Sequence, residues 1–389
     1  MNAALAAALA AAQRDEVKRR LRTQEEISPT RAIIDGRESV LFSGNDYLGL
    51  SRHERVTTAA ADAARRFGAS ATASRLINGN HELYAGLEST LAAFKGHEAA
   101  LIFPTGYMAN LAVLSTLAGA GDEIFIDRLD HASIYDGVAL SGARMRRYKH
   151  GDVAGLAKML SEHSSQPDRQ RLIFTDGVFS MDGDIAPLAE LRALADEYDC
   201  LLIVDDAHGT GVIGPDGRGS CAAAGITADV EIGTLSKALG SLGGFVTCDA
   251  AVTDYLVNRA RPFIFTTGLP PASLAAAATA LEVSQDEPWR RERVTALAAR
   301  LRAELSAAGF AVPAGDTPII PVLVGDEERA VRLSERLLDA GVFVPAIRTP
   351  SVPRGSARLR LTVSAAHSDA EVDLAIAALV DAGKTLDVI

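Results

Sequence analysis

The chain has 389 residues, 48% of them hydrophobic and 23% charged, enough apolar mass to bury a large core and to divide into two domains. Lys and Arg total 39 against 50 Asp and Glu, a net charge of −11, which offers no broad footprint for nucleic acid or an anionic membrane but leaves room for a local basic pocket. No apolar run reaches the roughly 18 residues that a membrane span requires, and the three cysteines lack metal-ligand spacing, so a soluble protein in the reducing cytoplasm is expected.

The Ala-rich start, Met1 to Ala12, lacks a basic leader and runs straight into Asp15, Glu16 and Lys18. It reads as an exposed or docking helix rather than a targeting segment, and residues 1–45 as an N-terminal helix or arm. From about residue 99, short apolar runs alternate with amphipathic stretches. Leu101–Phe103, Glu123–Ile126, Leu172–Phe174, Leu201–Val204 and Val230–Leu235 read as buried strands. Between them Pro187–Tyr198 is the clearest helix, with Leu188, Leu191, Leu194, Ala195 and Tyr198 on one stripe. This alternation predicts an α/β fold: a mostly parallel sheet in a large domain, 46–279, sandwiched by helices. Arg261–Pro271 reads as a turn-rich junction. Beyond it, Pro318–Val324 and Ala357–Val363 read as strands, Glu327–Ala340 as a helix, and Ser368 with Glu371 as the capping box of a last helix. Residues 280–389 are therefore expected to form a smaller α+β domain.

The chemistry centres on Lys237, in Gly233-Thr-Leu-Ser-Lys237, 32 residues after Asp205 at the end of Leu201-Leu-Ile-Val-Asp205. A lone lysine in a small-residue loop is ordinarily a solvated surface group. Here Thr234 and Ser236 place hydroxyls beside it, Asp205 leaves a buried strand, and small neighbours leave space for a flat ring. A pyridoxal phosphate (PLP) enzyme needs this set: an amine to bond the cofactor aldehyde and a carboxylate to keep the pyridine nitrogen protonated. No Walker-type loop is present. Gly209-Thr-Gly-Val-Ile-Gly214 formally matches a dinucleotide fingerprint, but Asp205-Asp-Ala-His208 separates it from the strand and turn chemistry comes after it, which argues against a nicotinamide site.

Further candidates lie where strands end, the place where ligands bind in such sheets. Phe103-Pro-Thr-Gly-Tyr-Met-Ala-Asn110 runs from a strand into a helix start suited to phosphate, with Gly106 allowing close approach and Met108, Leu111, Ser115 and Ala118 expected along one face. His131 could lay its ring on a planar cofactor. Ser180 and Asp182 occupy a turn. Arg358 and Arg360 alternate with Leu359 and Leu361 on the polar face of one strand, where an arginine could grip a carboxylate.

Taken together, Ser43-Gly-Asn-Asp-Tyr-Leu-Gly-Leu50, Asp176-Gly-Val-Phe-Ser-Met-Asp-Gly-Asp184, Val204–Gly214, Gly233–Lys237 and Ala357-Arg-Leu-Arg-Leu361 resemble the α-oxoamine synthases, fold type I PLP-dependent transferases. These enzymes condense an amino acid with an acyl thioester and release carbon dioxide. The resemblance implies PLP as cofactor, with Lys237 as covalent anchor and base and Asp205 on the pyridine nitrogen. It implies His208 on the phenolic oxygen, His131 stacked on the ring, and Gly106, Tyr107, Ser180 and Thr234 in the cradle. Asn45 and Arg360 would hold the amino-acid carboxylate. Ser351, standing where a threonine is usual, and one of Arg19, Arg20 and Arg22 would border the acyl site. Within the family, Asp205-Asp-Ala-His-Gly-Thr-Gly211 and Ile347-Arg-Thr-Pro-Ser-Val-Pro353 look most like the branch joining L-alanine to a pimeloyl thioester, carried on coenzyme A or acyl carrier protein. A glycine-using acyltransferase is the alternative. The resemblance also implies a homodimer with sites at the subunit interface, where Thr266 and Thr267 would reach the partner's phosphate.

Overall fold

The computed structural model describes residues 21–162 and 169–389, together with residues 2 and 5. Its centre is a seven-stranded sheet. In chain order the strands are β4 (Ala99–Phe103), β5 (Glu123–Asp127), β6 (Arg144–Tyr148), β7 (Arg171–Asp176), β8 (Leu201–Asp205), β9 (Val230–Thr234) and β10 (Gly244–Cys248). Their spatial order is β4-β10-β9-β8-β7-β5-β6. All pairings from β6 to β9 are parallel, and β10 alone runs against both of its neighbours. The five strands expected from their apolar runs are present, each fully or almost fully buried as a two-sided sheet demands.

Two strands of this sheet escaped the sequence reading. β6 carries Arg144, Arg146 and Arg147, which suit an exposed sheet edge and hide its strand character. β10 opens on Gly244 immediately after the lysine loop. A β-carbon on Gly244 would lie 2.5 Å from the Gly106 backbone, so the glycine lets β10 pass beneath the helix that comes after β4.

Helices cover both faces. On one side α1 (Gly106–Leu117) and α2 (Ala132–Ser141) pack over β4, β5, β7 and β9. The expected single stripe on α1 is replaced by burial of Ala109, Asn110, Ala112, Val113 and Leu114, because sheet and neighbouring helices enclose it on several sides. On the other side α3 (Val153–Glu162) and α4 (Leu188–Glu197) share a second core with Phe125, Ile173, Leu202 and Val204. α4 buries Leu188, Leu191, Leu194 and Ala195, the stripe its spacing predicts.

The C-terminal region has its own three-stranded sheet, in which β14 (Ala357–Thr362) lies between β11 (Ile319–Gly325) and β13 (Ala346–Ile347). Ser368 and Glu371 form the expected capping box of the last helix, Asp369–Thr385. β14 is buried along its whole length, so the face bearing Arg358 and Arg360 is covered by the large sheet domain rather than by water.

The N-terminal stretch differs from the helix or arm expected over 1–45. Most of residues 1–20 lie outside the described residues, and the segment after them is β-sheet. β1 (Gln24–Ser28), β2 (Arg31–Ile34) and β3 (Arg37–Leu41) form an antiparallel meander. β3 then pairs in parallel with β12 (Val342–Phe343), tying this segment to the C-terminal region. β1 is polar and almost fully exposed, which removed the alternation that would have marked it. Among the described residues no helix is long and apolar enough to cross a membrane.

Candidate active site

The carboxyl ends of β7, β8 and β9, the start of α1 and the loop between β9 and β10 enclose a cavity of about 220 Å³. Lys237 reaches it from that loop. Burial lowers its amine to about 8, with the Asp205 and Asp176 charges opposing the shift and Arg360 adding to it. Gly243 accepts a 2.8 Å hydrogen bond from Thr234 Oγ1, which also lies 2.7 Å from Ser236 Oγ, so the hydroxyls beside the lysine are fixed to the loop that carries it.

Asp205 ends β8 with both oxygens engaged. Oδ2 accepts a 2.6 Å bond from Asn110 Nδ2, and Oδ1 accepts from the Ala207 backbone at 3.0 Å. Asp176 ends β7 directly beside it in register. Only 4% exposed, Asp176 keeps its Oδ1 without a hydrogen-bond partner among the described residues. Burial, with the Asp205 charge next to it, pushes the Asp176 carboxyl well above the usual carboxylate range.

His208 lies three residues beyond Asp205 and is buried, its Nδ1 2.7 Å from the Tyr47 hydroxyl. Burial, then the Lys237 and Arg360 charges, hold its imidazole well below the ordinary range, so the ring is neutral. His131 caps α2 and faces the cavity from the opposite side, also lowered by burial, with Asp205 opposing and Lys237 reinforcing the shift. Tyr107 is 41% exposed at the rim, edge-on to His131 and hydrogen-bonded to Asp136.

Two arginines of β14 close the far edge. Arg360 donates through Nε to the Ser180 carbonyl at 2.5 Å and through its terminal nitrogens to Asn45 Oδ1 at 3.4 and 3.5 Å. Arg358 pairs with Asp182. The Ser180–Asp182 turn is thus clamped by the C-terminal sheet. Tyr47 donates to Asn45 at 3.2 Å and so links this edge to His208.

Lys237, Asp205, His208, His131, Gly106, Tyr107, Ser180 and Thr234 therefore share one cavity wall, and Asn45 and Arg360 meet beside it. Two expected residues do not line it. Ser351 sits in an exposed turn after Thr349 and Pro350, and Arg22 pairs with Asp35 at 2.5 Å near the Phe343 ring. Arg19 and Arg20 lie outside the described residues. The formal Gly209–Gly214 fingerprint folds as consecutive turns packed on Asp206 and leads only into a single 3-10 turn, Pro215–Gly217, rather than the long helix of a dinucleotide site, which removes that reading. Sequence reasoning missed Tyr47, Asn110, Ser133 and Asp176. Three of them stood inside segments singled out for other residues, and Ser133 lay two positions beyond His131.

The lining fits a phosphorylated pyridine aldehyde. It offers an amine of depressed pKa, a buried acid, hydroxyls and a helix start opposite them, and an unpartnered carboxyl oxygen on a lining residue. Its walls are held too closely for larger residues at Gly244.

The family model described as Aminotransferase class I and II matches residues 37–379. The 8-amino-7-oxononanoate synthase of Trichlorobacter lovleyi is 50% identical over 381 residues, covering 97% of each chain, and that of Geotalea daltonii is 49% identical over 374 residues, covering 95% of each. Among solved structures, the serine palmitoyltransferase of Sphingomonas wittichii superposes with a TM-score of 0.94 at 35% identity, covering 100% of this chain and 98% of the other. The 8-amino-7-oxononanoate synthase of Francisella tularensis gives 0.77 at 29% identity, covering 89% and 98%. With the expected motifs gathered on one cavity and these matches spanning nearly its whole length, the chain belongs to the aminotransferase class I and II family, on its α-oxoamine synthase branch.

Proposed function

We propose that the protein condenses L-alanine with a pimeloyl thioester and releases carbon dioxide, the activity of an 8-amino-7-oxononanoate synthase in biotin synthesis. The observation that carries the proposal is the convergence of Lys237, Asp205, His208 and His131 on one cavity, with Asn45 and Arg360 at its edge. Relatives sharing half their residues over nearly the full length support the choice of substrates.

PLP, when bound, supplies an aldehyde for amine exchange and a ring that withdraws electrons from the substrate α-carbon. Lys237 anchors it and then takes the α-proton. An amine near 8 is about half unprotonated at that pH, against roughly 0.4% for a free lysine, so burial supplies the base. Asp205, kept in place by Asn110 and the Ala207 amide, would hold a proton on the ring nitrogen. His208, neutral and braced by Tyr47, supports the phenolic oxygen. His131 would lie against the ring, and Gly106, Tyr107, Thr234 and Ser180 would complete the cradle. Arg360 with Asn45 orients the alanine carboxylate. We assign Ser351 and Arg22 to the acyl end of the site, built from segments outside this cavity.

We further read the protein as a cytoplasmic homodimer using coenzyme A or acyl carrier protein as the acyl carrier. Buried free thiols at Cys200, Cys221 and Cys248 support the compartment. The assembly is supported by apolar side chains left in water: Ile77 and Phe265, the latter 69% exposed, flank segments bridged at Ser74 and Thr267.

A thiol-release assay tests the reading. Alanine with pimeloyl-CoA should release free thiol at a rate well above serine with palmitoyl-CoA or glycine with acetyl-CoA. The serine arm matters because the solved serine palmitoyltransferase shares the fold so closely. Faster thiol release in either other arm would replace the alanine assignment, and no release in any arm would refute the condensation.

A further inference from the structure

Along the cavity wall, four side chains form a continuous line from the β8 acid to the His131 ring, with Ser133 alone set behind the lining. Asn110, on α1 and 1% exposed, donates through Nδ2 to Asp205 Oδ2 at 2.6 Å and to Ser133 Oγ at 2.8 Å. Ser133, on α2 and fully buried, places its Oγ 2.7 Å from His131 Nδ1.

The direction of every bond in this line is fixed from its two ends. At the Asp205 end a carboxylate oxygen accepts, and the Asn110 amide nitrogen faces it. That same NH2 group then donates to Ser133, whose oxygen is the acceptor and whose single proton is left for His131. At the other end the Ser133 backbone N–H donates to His131 Nδ1 at 3.3 Å. A backbone N–H cannot reverse, so Nδ1 carries no proton there and receives the hydroxyl as well. The neutral ring therefore keeps its proton on Nε2. Orienting the amide this way leaves Asn110 Oδ1 buried without a partner among the described residues. Such an unmet acceptor costs stability, and its retention points to the donor side as what is needed.

We propose that Asn110 and Ser133 are positioning residues that join Asp205 to His131: Ser133 holds the ring in its Nε2–H tautomer, and Asn110 orients the Ser133 hydroxyl from the side of the acid. Neither touches the reacting atoms. The inference rests on the PLP site proposed above, since the two ends of the line matter together only if a ring lies between them.

The test uses PLP-saturated protein labelled with 15N at histidine, with the His131 signal identified by its loss in His131→Gln. Wild type should show Nδ1 bare and hydrogen-bonded, and Nε2 protonated. Ser133→Ala should move the Nδ1 resonance downfield through loss of its donor, and Ser133→Thr should restore it. Asn110→Ala, which does not touch His131, should move the same resonance downfield by a smaller amount, because the Ser133 hydroxyl loses the donor that polarises it, and raise the PLP dissociation constant ~10-fold, the effect of one hydrogen bond to a charged group. A merely structural role would leave the His131 nitrogens unchanged in a folded Asn110→Ala protein, and that result overturns the proposal. So does a protonated Nδ1 in wild type. Should Asn110→Ala not fold, the Ser133→Ala and Ser133→Thr pair decides on the same resonance. Failure of the alanine condensation would show instead as absent thiol release from a wild-type protein with the expected histidine signature.

Discussion

Replacing Lys95 with Met should destabilise the protein by about 3–5 kcal/mol and flatten its acid unfolding. Lys95 ends the helix Glu82–Lys95, and its ammonium is fully buried against Asp206, also fully buried, at 2.7 Å and Glu231 at 3.0 Å. It donates a third bond to the Arg218 carbonyl at 2.7 Å. Asp206 further accepts from Thr210 Oγ1, the Ser220 amide and Ser220 Oγ at 3.0, 2.9 and 2.6 Å. Methionine fills the volume but leaves two buried carboxylates without the ammonium they share, His97 at 3.5 Å from Glu231 being the remaining basic partner. The pKa of Glu231 gives the magnitude by another route. Burial is the largest single influence and would raise it, but the charge and hydrogen bond of Lys95 together with those of His97 outweigh it and hold Glu231 at about 2 against an ordinary 4.5. A depressed carboxyl contributes stability above its unfolded value that disappears as pH falls through its folded one. A displacement of that size is worth about 3 kcal/mol, lost between about pH 4.5 and 2. Urea unfolding of the PLP-saturated protein between pH 3 and 7 measures both quantities. Wild type should lose stability steeply below about pH 4.5, and Lys95→Met should start lower and lose less there. A variant within about 1 kcal/mol of wild type at pH 7, with an unchanged acid limb, would refute this account of the cluster.

Arg360→Lys should raise the KM for alanine by ~10- to 100-fold with little loss of bound PLP, because a planar donor fork to Asn45 and Ser180 is replaced by a point charge. Steady-state kinetics with an absorption spectrum of the same sample checks both halves. Asp205→Asn should lower the alanine α-proton exchange rate by ~100-fold or more, since the ring nitrogen loses its charged partner, and exchange into deuterated water measures it. Gly244→Ala should prevent stable PLP binding, because its new methyl meets the Gly106 backbone rather than a side chain that can turn away. Equilibrium dialysis reads that loss, and a tightly binding Gly244→Ala protein would contradict the geometry. Borohydride reduction and peptide mapping should label Lys237, and label on another lysine would refute its role as anchor.

Much of the centre could be read from the chain. β7 and β8 carry apolar runs that stop at Asp176 and Asp205, and β9, apolar apart from Glu231 and Thr234, leads directly into the lysine loop. Periodicity failed where an element's surroundings were unusual. β14 alternates like a half-exposed strand, yet both faces are covered because its arginines find partners in the Ser180–Asp182 turn. β6 and β1 read as polar because one lies on a sheet edge and the other in water. Asn110, Ser133, Asp176 and Tyr47 gain their meaning only from neighbours across the sheet. Asn110 is 95 positions from the carboxylate it holds, and no local pattern encodes that separation.

The docking of β14 divides the catalytic apparatus by origin. The residues lining the cavity come from positions 105 to 237, whereas the proposed carboxylate grip joins Asn45 to Arg360. Exchanging residues 345–365 for those of a relative with another amino-acid preference is therefore a compact route to new selectivity. Such chimeras would inherit their colour from one parent and their choice of amino acid from the other.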